Sequence, residues 1–409
     1  MPAATLTARL AEDNGPAPAE LARSLPPQVL RDWSRAAELL CAPEGILALD
    51  DAAFEGLVLL LRDERVLPLF IHRLTASRAW LDIPGRRRAE LDAWLMHAKA
   101  GWVKIIEEVE HVLGRLAGAD LCPILLKGCH VGPRYYEAPY LRPTTDVDLL
   151  FTDLAQAERA FGLLCAGGYV PMDPVRGGSP WLWSRHLPEL RNPETGVRVE
   201  AHGSLLFAPT DRRDGPTRLL LENLEEIPVG ARRAFALRAE AAVLYALAHA
   251  FERHAADVPR MTSLLDTAMI AKERGERLDW PLLEDLARRS GLAGPAALGL
   301  WAALEFAGAA VPGSVITALA AGARPSGLPL GEGRTSARQS LQALRNAKGP
   351  GVLLRKLFYV PFPAPAYLRA RCPEDRRPLP LLYLALWVRQ VGKLAGLARA
   401  RAERAGRLE

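Results

Sequence analysis

Asp146 and Asp148 stand one residue apart at the head of an unbroken apolar run, LRPTTDVDLLF, residues 141–151. Leu149, Leu150 and Phe151 read as a buried strand, and side chains on a strand alternate between its two faces. Both carboxylates therefore point the same way, a few ångströms apart. Two like charges so placed repel, which raises one pKa unless a cation neutralises them. Ionised carboxylates are also costly to bury without partners. A chain carrying this feature must surround the strand with a sheet and give the acidic face something to bind.

The flanking sequence supplies the sheet. LCPILLKG (121–128) is a short apolar run ending in Lys-Gly, as a strand feeding a loop would be. TDLAQAERAFGLLCAGGY reads as a helix capped by Thr152 or Asp153 and stopped at Gly167-Gly168. The NPETG turn leads into VRVEAHGSLLF, a third strand. Residues 118–210 are expected to form this α/β unit. Apolar residues at three-and-four spacing dominate before it, predicting a helical lobe over 1–117, with the first twenty or so residues frayed. Helices return after it, predicting a second lobe over 211–409 that ends in a basic helix. At 409 residues more than one lobe is the natural expectation. The fold class is α+β, mainly helical overall.

Carboxylate pairs are what Mg²⁺ accepts, with substrate phosphates completing its shell. Two such ions can stabilise both the attacking and the leaving oxygens of a phosphoryl transfer, with Mn²⁺ as an alternative occupant. Glu200, in the third strand, is the candidate third carboxylate; its other reading is a strand residue paired with an arginine. The turn at Lys127-Gly128-Cys129 offers backbone N–H groups to a triphosphate. Lys127 either adds charge there or simply ends its strand. Arg142 either contacts the triphosphate or ties its loop to Glu137.

The set LLKGCH, LRPTTDVDLLF and VRVEAHGSLL resembles the DNA polymerase beta-type nucleotidyltransferase superfamily, and more narrowly the bacterial family of uncharacterised nucleotidyltransferases. The matching residues are Lys127 and Gly128, Tyr135 and Tyr136, Arg142 and Pro143, Asp146 and Asp148, and Glu200 and His202. His186, His249, His254, Asp266 and the PAYLRAR stretch also look familial. The resemblance implies a small mixed sheet core with helices on one side. It further implies Mg²⁺ dependence and transfer of a nucleoside monophosphate from an NTP to a hydroxyl, with release of pyrophosphate. Asp146, Asp148 and Glu200 would be the catalytic, metal-holding residues; Lys127, Gly128, Cys129 and Arg142 would bind the nucleotide. Cys129 replaces the usual small hydroxyl residue, so backbone N–H groups would take over its role.

The remaining features narrow the setting. The formal charge of +5 is too mild to imply nucleic acid by itself. Arginine outnumbers lysine in an Ala- and Leu-rich chain, the usage of a GC-rich bacterial gene, so arginine counts carry little weight. Five scattered cysteines without a CxxC argue against a disulfide framework or a zinc site. Without a signal peptide or a spanning apolar run, a cytoplasmic protein is expected. Residues 351–409 hold 12 Lys or Arg against 4 Asp or Glu, which suits a packed terminal helix, a peripheral membrane contact or an RNA grip. His186 and His202 read as site-wall or structural residues, and Asp266 as part of a buried polar network or a substrate-side contact. The expected acceptor is a hydroxyl on a small molecule, sugar or peptide. The competing readings are a toxin-like enzyme acting on tRNA or protein, and a non-catalytic nucleotide-binding module.

Overall fold

The computed structural model describes residues 21, 23, 25–253, 259–321 and 343–389. The polar N-terminal stretch, His254 and the basic residues beyond 389 lie outside them. The fold is α+β and mainly helical, built around a seven-stranded mixed sheet.

α1 (Pro27–Cys41) opens on proline, whose missing N–H costs nothing in a first turn. α2 (Asp51–Asp63) is capped by the Asp50 side chain, which accepts from the Ala53 N–H at 2.8 Å. α3 (Leu67–Thr75) and the 33-residue α4 (Gly85–Ala117) follow. The strands are β1 (Ile124–Leu125), β2 (Asp146–Leu150), β3 (Val170–Pro171), β4 (Leu190–Arg191), β5 (Arg198–His202), β6 (Leu224–Val229) and β7 (Arg232–Leu237), in the order β3-β4-β5-β2-β1-β7-β6. β2 is central, antiparallel to β1 and parallel to β5. The β6–β7 hairpin falls in a segment expected to be helical. Pro228 is tolerated there because β6 is an outer strand and its missing donor breaks no ladder.

α5 (Gly128–Tyr135) leaves β1, and α6 (Leu154–Ala166) leaves β2. Asp153 caps α6 by accepting from the Ala155 N–H at 3.0 Å, and Gly168, at φ +98°, lets the chain leave it. The strand period then sorts the two faces of the sheet. Val147, Leu149, Phe151, Val199 and Ala201 pack into one core with α4 and α6. Leu150 joins Ile124, Leu126 and Leu237 in a larger core on the other face. On the first side Glu108 of α4, 2% exposed, accepts from Tyr169, Asn192 and Thr195, which ties the NPETG turn down.

α7 (Gly215–Leu221), α8 (Ala239–Ala248), α9 (Met261–Arg274), α10 (Trp280–Arg289) and α11 (Ala293–Ala307) follow. α8 and α11 are apolar on nearly all sides and accordingly buried. Trp33 of α1 is fully buried and packs edge-on against Phe251 and Phe306, with ring centroids 6.4 and 5.6 Å apart. Helices from both ends of the chain therefore share one core and close over the same face of the sheet. Among the described residues no helix is long and apolar enough to cross a membrane, and all five cysteines are free.

Candidate active site

In the β2–β5 ladder Asp146 lies opposite Arg198, Asp148 opposite Glu200, and Leu150 opposite His202. Neighbouring strands run ~4.8 Å apart, so register alone sets Asp148 beside Glu200. The period of two adds Asp146 and His202 to the same face. A carboxylate oxygen of Asp148, one of Glu200 and a ring nitrogen of His202 all lie within 4.8 Å of one another.

His202 Nε2 stands 2.9 Å from Asp148 Oδ1 and 2.9 Å from Glu200 Oε2. That nitrogen carries at most one hydrogen, and its geometry directs it to Asp148. Glu200 Oε2 is left buried without a donor. Lys127 Nζ donates to the same Asp148 oxygen at 2.7 Å. Burial opposes ionisation of Asp148, but Lys127 and His202 outweigh it and hold the carboxyl well below its usual range. At Asp146 burial and the Asp148 charge prevail and push the pKa up. Burial likewise works against the Lys127 ammonium, and Asp148 keeps it charged. Carboxylate oxygens crowded in this way, one of them buried with no donor, form a donor set that a hard divalent cation would satisfy.

Lys127 ends its segment in a left-handed backbone conformation, φ +49°, and the chain turns there into α5. A Cβ on Gly128 would collide with Thr144 and come within 2.6 Å of Arg142 Nη1, so the close approach requires glycine. Gly128→Ala is expected to cost about 1–3 kcal/mol through overpacking, read as a lowered thermal midpoint. Cys129 is buried with its S–H donating to the Asp146 carbonyl across 3.7 Å, and burial pushes its thiol up. Arg142 is bound to Asp266 rather than Glu137: Nε and Nη2 donate to the carboxylate at 3.1 and 2.8 Å. Tyr136 adds a third hydrogen bond to Asp266 at 2.9 Å. Asp266 is thus the centre of a buried polar network, and Glu137 pairs with His72 at 2.9 Å instead. Burial pushes His186 down to about 4, so it stands neutral beside His202, with its Nδ1 bonded to the Leu187 carbonyl at 2.7 Å.

The acidic cluster opens onto a cavity of about 870 Å³ between the sheet and the helices. Lys127, Arg142, Asp146 and Glu200 line it; Gly128, Cys129 and Asp148 lie behind its wall. Arg65, Arg185, Tyr245 and Arg260 line it as well. Their one shared sequence signal is polarity, which an arginine-rich composition masks. Arg185 and Tyr245 are 6% and 3% exposed, and Arg185 Nε and the Tyr245 hydroxyl have no partner.

A family model described as "Uncharacterised nucleotidyltransferase" matches residues 50–308, well over half of the chain. The protein belongs to that family. The matched segment runs from α2 through α11, and so takes in the whole sheet and the arginines of the cavity wall. No curated protein and no solved structure matches the chain.

Proposed function

We propose that the protein transfers a nucleoside monophosphate from an NTP to a hydroxyl acceptor, using Mg²⁺ and releasing pyrophosphate. The observation that carries this reading is the Asp148–Glu200 pair, set side by side by strand register, with Asp146 on the wall of a cavity of about 870 Å³. That volume suits a nucleotide together with a small acceptor.

Asp146, Asp148 and Glu200 would hold the metal, two ions being the expected number and Mn²⁺ satisfying the same oxygens. The donorless Glu200 Oε2 fits that role. Once bound, the metal would neutralise charge on the phosphoryl oxygens in flight. Lys127 and His202 hold Asp148 ionised and fixed in direction. Arg185 Nε and the Tyr245 hydroxyl offer unpaired donors to substrate oxygens. The Arg142–Asp266 pair fixes the loop that leads into β2. The acceptor would enter between the sheet and the C-terminal helices, and a small molecule, sugar or peptide hydroxyl is the proposed class.

The deciding experiment incubates the protein with each labelled NTP, Mg²⁺ and an acceptor panel, reading pyrophosphate and any molecule gaining a nucleotide's mass. The proposal fails if no NTP binds in a Mg²⁺-dependent way and none releases pyrophosphate.

A further inference from the structure

Arg65 and Arg260 stand on the cavity wall from separate elements, Arg65 in the turn after α2 and Arg260 just before α9. Lys127 and Arg142 on the same wall each have a carboxylate partner. Among the described residues neither the Arg65 nor the Arg260 side chain makes an ion pair, although the Asp146 charge acts on Arg65 and Arg260 acts on Glu64 through space. The Met261 N–H on the Glu64 carboxylate and the Thr262 hydroxyl 3.4 Å from the Arg65 carbonyl hold the two segments together. Burial, then the Arg260 charge, push the Arg65 guanidinium down against a pull from Asp146.

The turn that carries Arg65 is clamped. The Glu64 carboxylate accepts from the Met261 N–H at 2.6 Å and from Trp33 Nε1 at 3.2 Å. Thr262 donates to the Glu64 carbonyl at 2.7 Å. The same contacts fix the entry to α9, and hence the place of Arg260. They also hold Arg65 at φ +58°, a conformation that an L-residue adopts at a cost. Asp120, Arg65 and Lys127 are the described non-glycine residues of this kind, and the last two, both cations, line the cavity. Glu64 already satisfies the N–H of Met261, so the open anion-binding capacity lies in the guanidinium groups.

We propose that Arg65 and Arg260 form an anion subsite at the rim of the cavity, built for a phosphate group. Two guanidinium donors match phosphate oxygens, and a dianion relieves their mutual repulsion. The phosphate has two sources, the terminal phosphates of the donor NTP or a phosphate carried by the acceptor. This choice of source rests on the nucleotidyl-transfer reading; the subsite itself does not.

The test measures binding of tripolyphosphate and orthophosphate by calorimetry, without metal, to the full chain. Arg65→Gln and Arg260→Gln are each expected to weaken binding ~10-fold or more, with Arg65→Lys partly restoring it. Arg289→Gln, on the exposed face of α10, should leave it unchanged. Wild-type affinity for both probes in both glutamine variants, with folding checked by thermal melt, overturns the subsite. Weaker NTP binding with unchanged NMP binding assigns the subsite to the terminal phosphates. Unchanged NTP binding with lost orthophosphate binding to the NTP-loaded protein assigns it to the acceptor. These affinities are read without metal and without turnover, so failure of the transfer reading and failure of the subsite are read separately.

Discussion

Glu200→Gln is expected to fold like the wild type and to lose about 100-fold or more of nucleotidyl transfer. The substitution keeps the side chain's size and removes one negative charge from the acidic face. It also removes the carboxylate oxygen, Oε2, that is buried without a donor beside His202 Nε2. An amide is a poorer ligand for a hard divalent cation than a carboxylate. The loss should appear as weaker Mg²⁺ dependence and slower pyrophosphate release with every NTP that the wild type uses. A thermal melt run beside it tells loss of fold from loss of metal binding. Wild-type turnover at wild-type Mg²⁺ concentrations would remove Glu200 from the metal site.

Asp266→Ala should destabilise the protein by about 3–5 kcal/mol, because it strands the Arg142 guanidinium in a buried position. Side-chain exposure of 11% for Arg142 and 3% for Asp266 leaves little room for water to replace the lost partner. Tyr136 loses its acceptor at the same time, at 2.9 Å. Urea unfolding should show a lower midpoint with an unchanged slope. Arg142→Leu combined with Asp266→Leu should recover much of the loss, since an apolar pair does not leave a charge unpaired. A loss below about 1 kcal/mol for Asp266→Ala would show that the pair is hydrated and contributes little. The variant should also impair any activity at the acidic cluster, because Arg142 anchors the loop that enters β2.

Much of the candidate site is written in local pattern. The alternation of Asp146, Val147, Asp148 and Leu149 puts two carboxylates on one face, and the sheet keeps them there. Asp153 and Gly167-Gly168 marked both ends of α6, since caps act within one turn. The break at Lys127-Gly128 pointed to a strand-to-helix turn, and Gly128 does sit where a Cβ would collide. The β6–β7 hairpin was not legible. LEEIPVGARRAFAL alternates weakly, and its helical neighbours on both sides set the local average. The sequence leaves Arg142 between a triphosphate contact and Glu137, its near neighbour. Its partner is Asp266, on a helix more than a hundred residues away.

What the sequence by itself determined was short-range: which residues share a strand face, where helices start and stop, and which motif set relates the chain to nucleotidyltransferases. What only the tertiary structure decided was long-range. The parallel register of β2 and β5 brings Glu200 and His202 to Asp148. The Glu64 clamp on α9 holds Arg65 against the same cavity as Arg260. Attraction between charged groups depends on distance in space, and an arginine-rich chain offers many partners of equal chemistry. Periodicity carries no record of which of them the fold brings together.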